Sequence, residues 1–292
     1  YACPHHPDRG FPGEIPEFKI VCDCRKPATG SIDTACRELA IGRNESWFIG
    51  DTTLDMETGR RANLKTVLVR TGHAGQDGRF PFAPDYVVPD LAAGVSWILE
   101  GHPALLHRMA PVVAASTGAR LVAIGGLARA GKSSAAQVLK EAMSALGRTA
   151  HVIPLDSWLK PADKRSEATG VTARYDVEDM LAAVTALVGR PERAEFDLPV
   201  YDRANRAMYP RRRHLLVNPE DLLIVEGVPA LLVDGLARLA DVRVYIEMPE
   251  SERVSRLRAD YRWRGTSDAG VDSLLASRAI DESEPVERAK AR

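Results

Sequence analysis

The sequence lacks any apolar run long enough to span a bilayer, so no transmembrane helix is expected. It lacks an excess of either charge: Lys plus Arg number 39, Asp plus Glu 40, and the net charge is −1. That excludes a chain that holds nucleic acid through bulk positive charge, and it excludes an acidic disordered tail. It lacks a basic start followed by an apolar stretch, so Tyr1-Ala-Cys-Pro-His-His-Pro is not a secretory signal. It lacks an initiator Met, and a fragment or processed product is the expectation. It lacks cysteine beyond Cys36. All four, Cys3, Cys22, Cys24 and Cys36, fall at one end. A disulfide framework would spread them through the fold. Clustered beside histidine, they point to a metal site in a reducing compartment, with cytoplasm the default. There is no internal repeat and no low-complexity segment.

What is present is 292 residues, 45% of them hydrophobic, enough for two modest cores or one large one. The chain divides near residues 100–118. Before that, short strands are expected at Ser46–Gly50, Thr66–Val69 and Tyr86–Val88, with helices at about Ile32–Ala40, Thr53–Ala62 and Leu91–Leu99. Strand alternating with helix implies a parallel α/β sheet. Residues 101–117 read as a mostly apolar linker. A second α/β series starts at Arg120, with strands at Leu121–Ile124, His151–Leu155, Leu222–Val225 and Val242–Ile246. Its helices are expected at Ser133–Leu146, Val177–Val188 and Glu250–Arg262. The last residues, Glu282–Arg292, are charged and read as a cut end.

The strongest motif is Gly126-Leu-Ala-Arg-Ala-Gly131-Lys132-Ser133, which fits G-x-x-x-x-G-K-[ST]. It follows an apolar strand and opens a helix, the context that makes such a match credible. Glycines let backbone N–H groups converge on phosphate oxygens, and the helix N-terminus, with Ser134 in its first turn, adds its positive end. Lys132 suits the β- and γ-phosphates of ATP, and the Ser133 hydroxyl suits Mg²⁺. Asp156 lies just past a strand end, where a carboxylate faces the ligand crevice of an open α/β sheet and can take a proton or hold Mg²⁺. Glu226 ends an apolar strand and can serve as the acidic partner of Mg²⁺. Arg253, Arg256 and Arg264 share roughly one helix face. They suit a closing lid over polyphosphate; the alternative is a solvated helix paired with Glu250, Glu252 and Asp260.

Residues from about Arg120 to Gly265 resemble the uridine kinase/phosphoribulokinase group of P-loop kinases. The carriers are Gly126–Ser133, Leu155-Asp156-Ser157-Trp158, Tyr175-Asp176, Pro199-Val200-Tyr201-Asp202, Val225-Glu226-Gly227 and the Arg253…Arg264-Gly265 helix. The resemblance implies Asp156 as general base, Glu226 near Mg²⁺, the arginines as lid, and Asp176 and Tyr201 near the acceptor. The chain departs from uridine kinases in carrying Arg206 where they have His, Met208 where they have Arg, and Ala259 where Arg is usual. A sugar or sugar phosphate therefore fits as acceptor as well as a nucleoside, with Arg206 suited to an anionic group.

At the other end, Cys3-Pro-His5 and Cys22-Asp-Cys24 offer three thiols and an imidazole in two close pairs, a credible tetrahedral zinc set. His6 is a spare, and Cys36 reads as a small buried hydrophobe. Asp51 and Asp55 follow a strand, where carboxylates can bind Mg²⁺, and a nearby Lys can stabilise a phosphoryl group. The string Cys-Pro-His-His-Pro…Cys-Asp-Cys-Arg25-Lys26-Pro resembles the zinc-containing haloacid-dehalogenase (HAD) phosphatases, closest to the subgroup acting on heptose 1,7-bisphosphate, with histidinol-phosphate phosphatases as relatives. It implies Lys26 on phosphate, Asp51 on Mg²⁺, Asp55 in support and Arg25 on substrate. That family's nucleophile is the first Asp of an Asp-x-Asp closing its first strand, and no apolar strand here ends so. Missing upstream sequence or an inert phosphatase half is the expectation.

Together these readings give an α/β chain. An incomplete HAD-like Rossmannoid sheet over residues 1–100 and a linker over 101–117 precede a P-loop NTPase-type three-layer α/β/α kinase domain over 118–292. ATP, Mg²⁺ and Zn²⁺ are the expected cofactors. A small sugar or nucleoside is the expected partner, with no nucleic acid and no membrane, and an oligomer is left open. The rival readings are a phosphatase with a degenerate kinase half, and a nucleotide-sensing module that performs no transfer.

Overall fold

The computed structural model describes residues 1–7, 12–80, 84–165, 170–202, 207–210 and 212–291. The chain forms two compact units, Tyr1–Leu99 and Glu100–Arg292.

In the first unit a mostly irregular, cysteine-bearing segment leads into α1 (Gly30–Glu38). Then follow β1 (Trp47–Gly50), α2 (Thr53–Arg61), β2 (Lys65–Val69), β3 (Tyr86–Val88) and α3 (Leu91–Ser96). The strands make a three-stranded parallel sheet in the order β1-β2-β3. The buried run Val67, Leu68, Val69 on β2 is what a strand covered on both faces requires. Helix α2 starts where it does because Thr52 and Asp55 form a capping box, each side chain holding the other's backbone N–H. Helix α3 is capped by Asp90, which accepts from Ala93 N at 2.8 Å.

The second unit opens with α4 (His102–Ser116). The stretch read as a linker is therefore helical: a π-helical turn, Trp97–Gly101, leads directly into it, and the helix packs against α5 (Lys132–Ala145). Strands β4 (Leu121–Gly125), β5 (Ala150–Pro154), β10 (Leu222–Glu226) and β11 (Val242–Tyr245) form a parallel sheet in the order β11-β4-β10-β5. Leu121, Ala123, Ile153, Leu223 and Val225 turn one way, into a core with Met180, Val184 and Leu187 of α6 (Val177–Val188) and Leu236 of α7 (Asp234–Leu239). The alternation of a strand turns Val122, Ile124 and Ile224 the other way, and α5 buries Ala135, Val138 and Leu139 against the sheet. The result is helix, sheet, helix in three layers.

Between α6 and β10, strand β6 (Ala194–Leu198) pairs antiparallel with β9 (Arg213–Val217), and β7 (Tyr201–Asp202) pairs with β8 (Ala207–Met208). The chain then runs through α8 (Glu250–Trp263), α9 (Asp268–Arg278) and α10 (Glu284–Arg288). The charged stretch from Glu282 is thus folded, with Val286 buried. No helix among the described residues is long and apolar enough to cross a membrane.

Candidate functional site

The C-terminal ends of β4, β5 and β10 converge, and each delivers one part of the kinase-side site. After β4 the chain enters the glycine-rich loop. Gly126 has φ +136° and Gly131 φ +105°, conformations that side chains rarely adopt. A Cβ at Gly126 would also run into the Ile246 carbonyl oxygen. Lys132 opens α5, is 7% exposed, and donates from Nζ to Leu127 O at 2.7 Å. Ser133 Oγ donates to Glu226 Oε1 at 2.9 Å. Glu226, the last residue of β10, is buried. Two residues placed on Mg²⁺ by sequence are thereby brought together as a pair of hard oxygen donors at the head of a helix, a donor set suited to that ion. Ser134 lies one residue further into the first turn of α5.

Asp156 stands in the short turn Leu155–Trp158 that follows β5. Tyr175 Oη donates to Asp156 Oδ1 at 3.2 Å. The two are held in register by backbone pairing: Leu159 bridges Tyr175, Asp176 N reaches Trp158 O at 2.8 Å, and Lys160 N reaches Arg174 O at 2.9 Å. Tyr175 is buried, so its hydroxyl position is fixed by packing. Sequence reasoning marked Asp176 in this pair and gave Tyr175 no role. Asp176 caps α6, accepting from Asp179 N at 3.4 Å, and lines a cavity of about 640 Å³ with Lys160 and Tyr175. Tyr201 lies on β7, which packs against the Asp156 turn; its hydroxyl accepts from Arg165 Nη2 at 2.5 Å. Arg206, assigned to the acceptor by sequence, lies outside the described residues.

The arginines of α8 separate. Arg253 is buried, forms a two-point pair with Glu250 at 2.7 Å, and turns Nη1 toward Ala128 O of the glycine-rich loop at 3.4 Å. Its charge holds the Glu250 carboxyl below the usual carboxylate range. Arg256 points away, half exposed, and pairs with Glu252. Arg264 pairs with buried Asp260, which also holds Arg129 of the loop. Sequence reasoning missed two further carboxylates, Glu282 and Asp281. Glu282 is 2% exposed and accepts from Ala128 N at 2.7 Å, while Asp281 pairs with Arg174 at 2.8 Å. Nothing in a charged segment of sequence distinguishes such residues from solvated ones.

In the first unit, Cys3, His5, Cys22 and Cys24 place one ligand atom each within 4.8 Å of one another. Cys24 Sγ lies 3.0 Å from Cys22 Sγ, 3.1 Å from Cys3 Sγ and 3.4 Å from His5 Nδ1. Accepting from Cys24 draws the Cys22 thiol down to about 6, and the same bonds push Cys24 up to about 12. Three sulfurs and an imidazole nitrogen this close form a closed, soft donor set that fits zinc. His6 lies outside it, accepting from Ile15 N at 3.1 Å, and Cys36 is only half-buried. Arg25 folds back onto His5 O at 2.5 Å. Lys26 Nζ donates to Asp55 Oδ1 at 2.5 Å. Burial pushes Asp55 up, but Lys26 and Thr52 outweigh it and the carboxyl ends below its usual range. Asp51, at the end of β1, accepts from His73 N at 2.8 Å. Arg25 and Lys26 border a cavity of about 1080 Å³ alongside Trp47 and Phe48 of β1.

A glycine-rich loop at the head of a parallel sheet, a carboxylate-bearing turn after another of its strands and an arginine beside the loop are the arrangement expected of a P-loop kinase. The chain belongs to the phosphoribulokinase/uridine kinase family, which residues 121–290 match. Residues 23–94 match the HAD-hydrolase-like family. A heptose-1,7-bisphosphate 7-phosphatase of Chlorobaculum tepidum is 38% identical over 110 residues, 35% of this chain and 53% of that protein. The corresponding protein of Yersinia pestis is 47% identical over 73 residues, 25% of this chain and 37% of that protein. The chain thus spans about half or less of these curated relatives. Among solved structures, a protein of Silicibacter sp. TM1040 described as a fructose transport system kinase shares the fold. Its TM-score is 0.52 and its identity 23%, covering 64% of this chain and 94% of that one.

Proposed function

We propose that residues 118–292 form a kinase domain that moves the γ-phosphoryl group of ATP to a hydroxyl of a small sugar, sugar phosphate or nucleoside. The observation that carries this reading is the Tyr175–Asp156 pair just past the end of β5, the strand that neighbours β10, whose last residue Glu226 accepts from Ser133. A module that only binds nucleotide needs no carboxylate held by a buried phenol beside its phosphate loop. Lys132 and the loop amides would hold the phosphates, and Ser133 and Glu226 would hold Mg²⁺. Mg²⁺·ATP, when bound, supplies the phosphoryl donor and the neutralising charge. Asp156 would accept the proton of the acceptor hydroxyl, and the Tyr175 O–H donates to Oδ1 and helps fix the carboxylate. Tyr201 and Asp176 would meet the acceptor's ring and hydroxyls, and Arg253 would balance charge on the transferred group.

For residues 1–100 we propose a HAD-type sugar-phosphate phosphatase region. Cys3, His5, Cys22 and Cys24 would hold a structural Zn²⁺, and Lys26 and Asp51 serve phosphate and Mg²⁺. Residues 101–117 join it to the kinase domain. Three reduced thiols at a metal site suit the cytoplasm.

The test is ADP release with ATP and Mg²⁺ across heptoses, pentoses, their phosphates and nucleosides, with Asp156→Ala as control. Release that needs one acceptor and vanishes in the variant is the expected result. ATP binding without turnover for any acceptor favours the sensing module. A phosphatase reading is checked by phosphate release from a sugar bisphosphate, using a chain extended to the length of the curated relatives; Asp51→Asn abolishes it.

A further inference from the structure

The C-terminal segment, which sequence reasoning left without a role, reaches three parts of the kinase site. Glu282 accepts from Ala128 N of the phosphate loop at 2.7 Å and from Arg278 Nη1 at 2.5 Å. Arg278 also donates to the Tyr261 hydroxyl on α8 and lies within electrostatic reach of Tyr175. Asp281, the neighbouring residue, pairs with Arg174, whose carbonyl accepts from Lys160 in the loop after Asp156. Apolar packing accompanies the polar contacts: Ala128 and Leu275 lie against the cluster Leu257, Tyr261, Val271.

A buried carboxylate is costly unless fully partnered. Glu282 is partnered by one guanidinium and by one amide of the loop itself. Ala128 precedes Arg129, a non-glycine residue with φ +67°. That conformation persists only where the surroundings over-determine it. Glu282 fixes the backbone on one side of Arg129, and Asp260 fixes the Arg129 side chain. The loop amides beyond Arg129 therefore have their direction set before any ligand arrives.

We propose that Arg278–Glu282 is a positioning element of the transfer site, in which Glu282 sets the phosphate loop for nucleotide and Asp281 sets the loop that carries Tyr175 against Asp156. This rests on the kinase reading above. None of these residues is assigned to touch substrate; each acts through a neighbour. The two carboxylates are adjacent in sequence, so one segment aligns the nucleotide side and the acceptor side with each other.

The experiment is direct titration of the full chain with a fluorescent ATP analogue, well below each variant's melting temperature, which removes global stability from the reading. Glu282→Ala is expected to weaken binding by at least ~10-fold, since it removes a charge-assisted hydrogen bond to the loop. Glu282→Gln, whose amide oxygen still accepts from Ala128 N, is expected to stay within about 3-fold of wild type. Glu284→Gln, on an exposed pair with Arg288, serves as the control and stays at wild-type affinity. If Glu282→Ala does not fold, hydrogen exchange at the Ala128 amide of the wild-type protein decides: protection is expected without nucleotide, and exchange at the free-peptide rate overturns the proposal. Equal affinity in Glu282→Ala and wild type overturns it while leaving the kinase reading intact. Failure of the wild type to bind ATP overturns both.

Discussion

Ser133 Oγ and Glu226 Oε1 lie 2.9 Å apart, joining the first turn of α5 to the last residue of β10. The hydroxyl belongs to the glycine-rich loop and the carboxylate to a strand 93 residues away in sequence. Their meeting puts two hard oxygen donors together beside the glycine-rich loop, and the proposed kinase reading assigns them to Mg²⁺. Ser133→Ala and Glu226→Gln are each expected to raise the Mg²⁺ concentration for half-maximal turnover by about 10- to 100-fold. A Mg²⁺ titration of ADP release checks this, and a wild-type titration curve in both variants would count against the assignment.

Asp156→Asn is expected to lower turnover by on the order of 10²- to 10⁴-fold with little change in ATP affinity. Tyr175→Phe removes only the bond that fixes the carboxylate and is expected to cost about tenfold. Measuring both with the acceptor identified in the screen separates proton removal from orientation. A Tyr175→Phe loss as large as that of Asp156→Asn would mean the phenol does more than orient.

Arg253 and Arg256 are three residues apart, yet one is 6% exposed beside the phosphate loop and the other stands out in solvent. Arg253→Ala is therefore expected to lower turnover by at least ~10-fold, and Arg256→Ala to leave it nearly unchanged. Single-turnover rates at saturating ATP test the difference. Equal losses would restore the idea of a lid built from the whole helix face.

In the first unit, Asp55 carries a carboxyl held below its ordinary value by Lys26 and Thr52. A group depressed in the folded state contributes stability that is present above its unfolded value, near pH 4, and is lost as pH falls through the folded one. Lys26→Met removes the ammonium and leaves burial opposed only by the Thr52 bonds, so the carboxyl rises from its depressed value. The acid unfolding midpoint of this unit is expected to move to higher pH, with little change at neutral pH beyond the lost pair. Circular dichroism of the isolated variant and parent across pH 2–7 reads it out.

Zinc is expected at about one per chain, measured by plasma mass spectrometry on metal-free buffers. Cys24→Ser, replacing the residue nearest all three other ligands, is expected to lose the metal and to make the segment 1–29 accessible to protease. Retention of stoichiometric zinc by that variant would place the metal elsewhere.

The parts of the molecule legible in sequence are those whose cause is local. The phosphate loop is specified by glycines at fixed spacing, and β4, β5 and β10 by short apolar runs between turns, so each was placed within a residue or two. Pairing set by distant neighbours was not legible. Strand β6 alternates Glu195 and Asp197 with Ala194, Phe196 and Leu198, but only β9, some fifteen or more residues on, makes it a strand. Helical spacing could not tell Arg253 from Arg256, because that choice depends on where the loop lies. Tyr175 was visible only as the neighbour of a carboxylate, and its contact with Asp156 follows from the bridge between Leu159 and Tyr175.

The carboxylate that holds Ala128 lies 154 residues further along the chain. During synthesis the glycine-rich loop emerges well before its partner. Strands β4 and β5 can pair with β10 only after residue 226, and the loop amide is held only once residue 282 has emerged. A chain stopped anywhere between residues 133 and 282 would carry the glycine-rich motif without the carboxylate that holds its Ala128 amide.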